Sequence, residues 1–239
     1  MTTIISNDNF QIIQNNNKFV IKFSCYSESL IKSLTKTGVI LGTTVTSDYK
    51  TLMFKAITCK PFNKFKEYIF EATGSPKIPA NLVAKMAADL GRQFCYLMTK
   101  YNVTIMGFNI ENVFVINDID FIYLSSEFFK EVNIYNETLM VTCPVGPSDF
   151  YIAPELLEMK ELPCDIHFKT GYFSFGCLLL YALTGNNDFY DEYLKEEPNI
   201  RHEKICEYLN KLPIKNTKLF GLVERCLVEE PENRSIIFI

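Results

Sequence analysis

The first third of the chain alternates short apolar runs with polar turns. Four runs are rich in β-branched and aromatic residues: FQIIQ, KFVIKF, GVILGTTVTS and TLMFKAIT, separated by turn signals such as NNN and SDYK. This pattern predicts the strands of an antiparallel sheet. Between the second and third runs, Leu30, Ile31 and Leu34 recur at helical spacing, and Ser27 stands where a helix cap is expected. We therefore expect one short helix within the sheet region.

The period of the pattern changes at Ala80. From Leu82 to Tyr101 apolar residues recur every three or four positions, which predicts a long amphipathic helix, and Pro79 is a typical start signal. Two short strands, VFVIN and DFIYLS, are expected next, followed by a loop rich in proline and glycine. The run GYFSFGCLLLYALTG then predicts a buried helix, with amphipathic helices after it. A β-rich part followed by a larger helical part predicts the α+β class.

Composition excludes several classes of function. The 239 residues carry a net charge of −4, so we expect no nucleic-acid partner. No apolar run is long enough to span a bilayer, so we expect no membrane association. The eight cysteines and two histidines form no C-x-x-C pattern, so we expect no metal site and no cofactor. The cysteines lie mostly in apolar runs and no signal peptide opens the chain, which favours a cytoplasmic protein.

The second half of the chain carries an ordered set of short motifs. Ala153–Glu155 reads A-P-E, Ser174–Gly176 and Thr184–Gly185 follow at matching distances, and RCLVEEPENR stands near the end. With these motifs in this order, the chain resembles the protein kinase family over nearly its full length. In that family the A-P-E glutamate pairs with a late arginine, and the resemblance assigns this structural pair to Glu155 and Arg234.

The resemblance implies a two-lobed, protein kinase-like α+β fold that forms a single domain over residues 1–239. A truncated β-rich N-lobe would occupy about residues 1–60, and a helical C-lobe would occupy about residues 61–239.

The residues that carry phosphoryl transfer in the family are missing at the matching positions. The catalytic loop H-R-D-L-x-x-x-N corresponds to IMGFNIEN, where Gly107 replaces the catalytic aspartate and Asn112 keeps the metal-binding asparagine as a vestige. Ser125 stands in place of the D-F-G aspartate. Gly171 replaces the aspartate that braces the catalytic loop. The resemblance therefore implies a pseudokinase with no catalytic residues, which is not an enzyme.

The nucleotide-binding parts are reduced as well. No glycine precedes FVIKF, so the family's glycine-rich loop is absent. FVIKF resembles V-A-I-K and makes Lys22 the vestigial cofactor-binding lysine, with Glu28 as its candidate partner on the next helix. The alternative interpretation is that Lys22 is an exposed lysine on a strand.

Within the family, the chain is similar to the pseudokinase domain of the mixed lineage kinase domain-like protein and to its stand-alone poxvirus homologues. GYFSFG, which lacks the same aspartate, and KAITCKPFNKFKEYIFE carry this resemblance. It implies a viral protein of the host cytoplasm that binds and sequesters the receptor-interacting kinase of necroptosis and so inhibits that form of cell death.

The segment from 128 to 150 mixes apolar side chains with few charges, which suits a partner-binding surface. The candidates are Phe128, Phe129, Ile134, Tyr135 and Phe150. The alternative is a mobile loop with some aromatic side chains tucked into the helical part.

Two other functions stay open at this point. A divergent active kinase would need Asp118, Asp120 or Glu127 to replace the missing carboxylates. A generic pseudokinase scaffold would bind some other kinase.

Overall fold

The protein has an α+β architecture, described by a computed structural model for residues 2–236 apart from the side chains of 198 and 199. Its first part is an antiparallel sheet of five strands in the order β1-β2-β3-β5-β4, with helix α1 in the connection between β3 and β4. These elements are β1 (Thr2–Ser6), β2 (Phe10–Asn15), β3 (Lys18–Phe23), α1 (Glu28–Lys36), β4 (Thr44–Val45) and β5 (Thr51–Lys55).

The rest of the described chain is mainly helical, with three small antiparallel sheets of order β6-β8-β9, β10-β7 and β11-β12. The strands are β6 (Cys59–Pro61), β7 (Val103–Ile105), β8 (Val113–Ile116), β9 (Asp120–Tyr123), β10 (Phe129–Glu131), β11 (Thr138–Val141) and β12 (Cys164–His167). The helices are α2 (Phe62–Thr73), α3 (Ala80–Tyr101), α4 (Pro154–Leu157), α5 (Thr170–Thr184), α6 (Asp188–Lys195), α7 (Pro198–Asn210) and α8 (Lys218–Cys226), with 3-10 turns at Ile110–Asn112 and Pro231–Asn233.

Alternation of side chains along the strands gives the sheet one buried face. On β3, Phe19, Ile21 and Phe23 are buried, and they pack with α1 and with apolar residues of β8 and β9. A second and larger core surrounds α5, which is buried along almost its whole length. A third, smaller cluster lies under the segment from 128 to 166.

Two buried polar side chains of α3 fix strand β9 in place. Gln93 donates from Nε2 to the carbonyl of Tyr123 at 2.8 Å and accepts from its N–H at 3.1 Å. The carboxylate of Asp89, which is fully buried, accepts from the N–H of Phe121 at 3.0 Å. These bonds position the end of β9, two residues before Ser125.

The structure confirms the helices predicted from periodicity and the strands predicted in FQIIQ, KFVIKF, TLMFKAIT, VFVIN and DFIYLS, whereas the strand predicted in GVILGTTVTS is mostly absent. Helices α1, α3 and α5 lie where the sequence places them, and α3 begins directly after Pro79. Only Thr44–Val45 of GVILGTTVTS is a strand, because Gly38 and Gly42 adopt positive φ and interrupt it. The side chain of Ser27 makes no cap hydrogen bond and donates instead to the carbonyl of Cys25.

Among the helices of residues 2–236, none combines the length and the apolar composition that crossing a bilayer requires.

Candidate functional site

Gly107 lies under an aromatic ring. The residue follows β7 in the loop that the resemblance matches to the catalytic loop, and the ring of Phe150 packs directly on its Cα. A Cβ added to Gly107 would overlap with three ring atoms of Phe150. Both the backbone at 107 and the ring are buried. No side chain of any kind fits at position 107 unless Phe150 moves.

Gly171 allows the same loop to approach helix α5 closely. A Cβ at this position would overlap with the carbonyl oxygen of Ile105, which is a backbone atom and cannot swing away. One turn further along α5, the hydroxyl of Ser174 accepts from the N–H of Phe108 at 2.8 Å, and both residues are fully buried. The hydroxyl of Ser174 therefore holds this loop, while Gly171, which the resemblance matches to an aspartate, has no side chain.

The loop is also fixed through Phe108. Its ring lies 5.1 Å from that of Tyr123, 5.3 Å from that of Phe175 and 5.8 Å from that of Phe94. The hydroxyl of Tyr123 lies 3.4 Å from the carbonyl oxygen of Gly107. Burial raises the pKa of Tyr123, so this hydroxyl stays protonated near neutral pH and cannot act as a general base.

Asn112 and Ser125 lie near each other but present no carboxylate. The carbonyl of Asn112 accepts from the N–H of Leu124 at 2.9 Å, and both Asn112 and Ser125 are buried. The hydroxyl of Ser125 accepts from the N–H of Glu127 at 3.1 Å, so it closes a local turn. Glu127 is exposed and accepts from Nδ2 of Asn9 at 3.3 Å. The bonds of Ser125 are those of a local turn. A magnesium site would need carboxylate oxygens, which Asn112 and Ser125 do not have.

The turn between β1 and β2 precedes FVIKF, the side of the chain on which the resemblance would place a glycine-rich loop. The carboxamide oxygen of Asn7 accepts from the N–H groups of Asn9 at 3.0 Å and Phe10 at 2.8 Å. These amides are therefore already engaged and are not free to bind phosphate oxygens. The neighbouring carboxylate of Asp8 adds a negative charge to the turn.

Lys22 lies on the exposed face of the sheet. Its neighbours Ile21 and Phe23 point to the buried face, so Phe23 rather than Lys22 faces β8 and the second part of the chain. Glu28 bonds to Lys32 and Tyr26 instead. The structure agrees with the interpretation of Lys22 as an exposed strand lysine, and its vestigial cofactor role has no support from this position.

Three phenylalanines fill the space between the five-stranded sheet and β8. The ring of Phe10 lies 5.6 Å from that of Phe114 and 6.5 Å from that of Phe23, and all three are buried. Sequence analysis missed this packing, although the alternation of buried and exposed residues along KFVIKF is the signal that could have revealed it.

Glu155 and Arg234 form the ion pair assigned to them. Nη1 of Arg234 donates to Oε1 of Glu155 at 2.6 Å, and Nη2 donates to Oε2 at 2.9 Å. The guanidinium also donates to the carbonyls of Val228 and Glu229, both at 2.7 Å, and lies over the ring of Phe173 at 5.2 Å. Arg234 is fully buried, so every contact of this cation is made inside the protein.

The segment from 128 to 150 is held by its own strands and core. Strand β10 pairs with β7, and β11 pairs with β12. The rings of Phe128 and Phe150 meet edge to face at 4.7 Å, and both are buried. They pack with apolar residues that sequence analysis did not single out, namely Met106, Leu139, Val141, Ile152, Leu156 and Ile166.

The partner-binding candidates therefore divide into two groups. Phe128 and Phe150 are interior side chains, which agrees with the alternative of aromatics tucked into the helical part, and Phe129 is half-buried. Ile134 and Tyr135 lie in the turn between β10 and β11 and are 55% and 91% exposed. Of the five candidates, only Ile134 and Tyr135 are exposed large apolar side chains.

The acidic residues considered as replacement catalysts have other contacts. Asp118 bonds to Lys60 at 2.8 Å, and Asp120 bonds to Lys85 at 2.6 Å. Among the described residues, no group of three His, Cys, Asp or Glu side chains lies close enough together to hold a metal ion.

A groove of about 450 Å³ runs along the outer side of Phe150. Its walls include the carboxylates of Glu111, Asp149 and Asp191 as well as the ring of Tyr190. Asp149 accepts from the N–H of Gly146 at 2.7 Å. The groove can receive a cationic side chain, but position 107 beside it supplies no proton acceptor.

Comparison with known proteins adds no relative. The chain matches no model of a protein family, and no curated protein is significantly similar to it.

Proposed function

We propose that this protein is a catalytically inactive, kinase-like binding module, similar to the poxvirus homologues of the mixed lineage kinase domain-like pseudokinase. In this proposal it binds and sequesters the receptor-interacting kinase of necroptosis in the host cytoplasm and so inhibits necroptotic death. Its single domain would comprise an N-lobe of about residues 1–60 and a C-lobe of about residues 61–239.

The packing of Phe150 on Gly107 is the observation that carries the proposal. A kinase needs a carboxylate at the position matched by Gly107, to accept the proton of the substrate hydroxyl. Here the space for that side chain is filled by a buried ring, so the loss is not one of residue type alone. A shifted substitute would need a free carboxylate nearby. Asp118 and Asp120 are paired with lysines, and Glu127 is exposed and accepts a hydrogen bond from Asn9.

The architecture supports a kinase-like fold. An antiparallel five-stranded sheet with one helix between β3 and β4, followed by a mainly helical part, is the arrangement expected from the resemblance. The bidentate contact between Glu155 and Arg234 joins two motifs that are 79 positions apart, in the way the resemblance assigns.

The nucleotide side of the proposal rests on three features. Asn7 occupies the amides of the β1–β2 turn, Lys22 points away from the interior, and Phe10, Phe23 and Phe114 fill the space beneath the sheet. A module that acts without phosphoryl transfer does not need to bind ATP, and all three features oppose ATP binding.

The turn between β10 and β11 is the surface that we propose for the kinase partner. Ile134 and Tyr135 protrude from it, and Met140 on β11 is 56% exposed beside it. The paired strands β10–β7 and β11–β12 hold the turn in place, so little ordering entropy is lost when a partner binds. Exposed aromatic and aliphatic anchors on a rigid support are typical of binding hot spots.

Co-purification from human cells challenged to undergo necroptosis tests the proposal. The wild-type chain should co-purify with the receptor-interacting kinase and protect the cells. The double variant Ile134→Asp/Tyr135→Asp should lose both effects, because two exposed carboxylates replace the apolar anchors. The matched control is Ile57→Asp/Ile119→Asp, which changes two exposed isoleucines elsewhere and should behave as wild type.

If the wild-type chain neither co-purifies with the kinase nor protects the cells, the necroptosis claim is wrong. A generic pseudokinase scaffold would then be the remaining proposal. If Ile134→Asp/Tyr135→Asp still protects the cells and Ile57→Asp/Ile119→Asp does not, the partner surface lies away from the turn between β10 and β11.

A further inference from the structure

The exposed face of the five-stranded sheet is organised in three rows that run across the strands. Pairing of β2, β3 and β5 sets Asn15, Lys18 and Lys55 side by side in the first row. The middle row is Ile13, Val20 and Met53. The third row is Gln11, Lys22 and Thr51. An apolar row therefore lies between two rows that contain lysine.

The three lysines of this face have no internal counter-charge. Lys18, Lys22 and Lys55 are exposed, and none of them forms a salt bridge with any residue that the structure describes. The five strands contain no aspartate or glutamate. Lys18 and Lys55 are direct cross-strand neighbours, an arrangement of like charges that costs free energy. An anion bound between them would relieve this repulsion.

The charge of this face contrasts with that of the whole chain. The three rows contain three lysines and no acidic residue, whereas the complete sequence has more acidic than basic residues. A local basic surface attracts an acidic partner and repels other basic surfaces.

The spacing of the rows matches an extended polypeptide. Residues two apart on a strand are about 7 Å apart, so the two lysine rows lie about 13 Å from each other with the apolar row midway. A peptide in extended conformation places side chains i, i+2 and i+4 on one face at the same intervals. Laid along the strand direction, it would set one side chain on each row.

From this geometry we infer that the exposed face of the β2–β3–β5 sheet binds an extended acidic segment of a protein partner, with the pattern Glu-x-Val-x-Glu or a close equivalent. The first glutamate contacts Lys18 and Lys55, the valine packs on Val20 and Met53, and the second glutamate contacts Lys22. This surface belongs to other elements than the β10–β11 turn, so the inference does not depend on the proposed function.

The same observations disfavour other anions. Binding of single-stranded nucleic acid typically adds aromatic side chains on which bases stack, and the phenylalanines of β2 and β3 lie on the opposite, buried face. Bidentate binding of phosphate uses arginine, and residues 1–91 contain none. The apolar middle row also suits an apolar side chain better than a phosphate backbone.

A titration of the isotope-labelled protein with a blocked peptide, Thr-Glu-Thr-Val-Thr-Glu-Thr, tests this inference by nuclear magnetic resonance. Amide signals of β2, β3 and β5 should shift, and the affinity should fall as salt is added. Lys18→Glu/Lys55→Glu should weaken binding about tenfold, as expected for the loss of one or two exposed ion pairs. The matched control, Lys215→Glu/Lys218→Glu, changes two exposed lysines of the helical part and should leave the affinity unchanged.

Thermal unfolding of each variant shows whether it is folded, and Lys18→Gln/Lys55→Gln serves as a milder substitute. A version of the peptide with lysine in place of glutamate should not bind. Equal binding of both peptides, shifts outside the sheet, or equal weakening by the control variant would each contradict the inference. Tighter binding of single-stranded oligothymidylate or of phosphatidylserine vesicles than of the acidic peptide would also overturn it.

Discussion

The Glu155–Arg234 pair and the Gly107 loop lie in the same half of the molecule, but their chemistry differs. The pair keeps a buried cation with four hydrogen bonds, two of them to a carboxylate. At the loop, the ring of Phe150 occupies the space of a side chain at position 107, and the carbonyl oxygen of Ile105 occupies that of a side chain at position 171. The pair buries a charged contact, whereas the loop leaves no room for a side chain at position 107 or 171.

The two regions are therefore held by different interactions, a buried ion pair in one and a loop without a charged side chain in the other. Apolar packing and one serine hydroxyl hold the loop at residues 105–112, so no charge has to be buried there. Breaking each region separately tests whether the two really contribute in these different ways.

The largest expected effect comes from Gly171→Ala. The added methyl group would overlap with the backbone carbonyl of Ile105, which can move only if the loop and α5 separate. We expect a loss of about 5 kcal/mol in the free energy of unfolding, or failure to fold. Chemical denaturation gives the value where the variant is soluble.

Gly91→Ala is the matched control for this change. Gly91 also lies in a helix, and an added Cβ meets no atom within 4 Å. The control should gain up to about 1 kcal/mol from helix propensity. Similar stabilities for the two variants would mean that α5 and the loop are not in direct contact.

Arg234→Ala should have the next largest effect. It removes the cation and leaves the Glu155 carboxylate and two carbonyls without their donor, so we expect a loss of about 3–5 kcal/mol. Lys64→Ala breaks the exposed pair with Glu67 and should cost less than about 1 kcal/mol. If urea denaturation gives the same small change for both, the buried pair does not stabilise the fold as described.

Gly107→Ala should destabilise the protein by about 1–3 kcal/mol, because its methyl group forces the ring of Phe150 to move. Phe150→Ala alone should cost about 3–5 kcal/mol through the cavity that it leaves. The double variant should be more stable than the sum of the two changes predicts, since removal of the ring makes room for the methyl group. Strict additivity would show that the two positions are not in contact.

ATP with magnesium should cause no change in the melting temperature. The amides of the β1–β2 turn are engaged by Asn7, and Ser125 offers no carboxylate for the metal ion. A shift of several degrees would correspond to about 1 kcal/mol or more of binding free energy, and it would contradict the filled interior described for Phe10 and Phe114.

The sequence was most informative where periodicity extends over many residues. The apolar stripe after Pro79 and the continuous run of α5 predicted both helices, and motif order predicted the contact of Glu155 with Arg234. Strands β10, β11 and β12 have only three or four residues each, and their pairing joins distant segments, so local patterns could not reveal them.

The resemblance matches Gly107 and Gly171 to positions where kinases have carboxylates, and this match stays a prediction. The packing at these two positions could not be predicted from the sequence. That Phe150 fills the place at Gly107 depends on a contact across 43 positions of the chain, which no local pattern shows. The sequence did not decide which face of the sheet Lys22 lies on. In the structure its neighbours Ile21 and Phe23 are buried, so Lys22 lies on the exposed face.

Transfer of radiolabelled phosphate from ATP to the protein itself and to a generic substrate protein tests the central claim most directly. The purified chain should incorporate no label above the buffer control, with or without magnesium, and Asn112→Ala should give the same result. Incorporation by the wild-type chain that disappears in Asn112→Ala would mean that this asparagine serves a working catalytic centre, and it would contradict the account of a closed one.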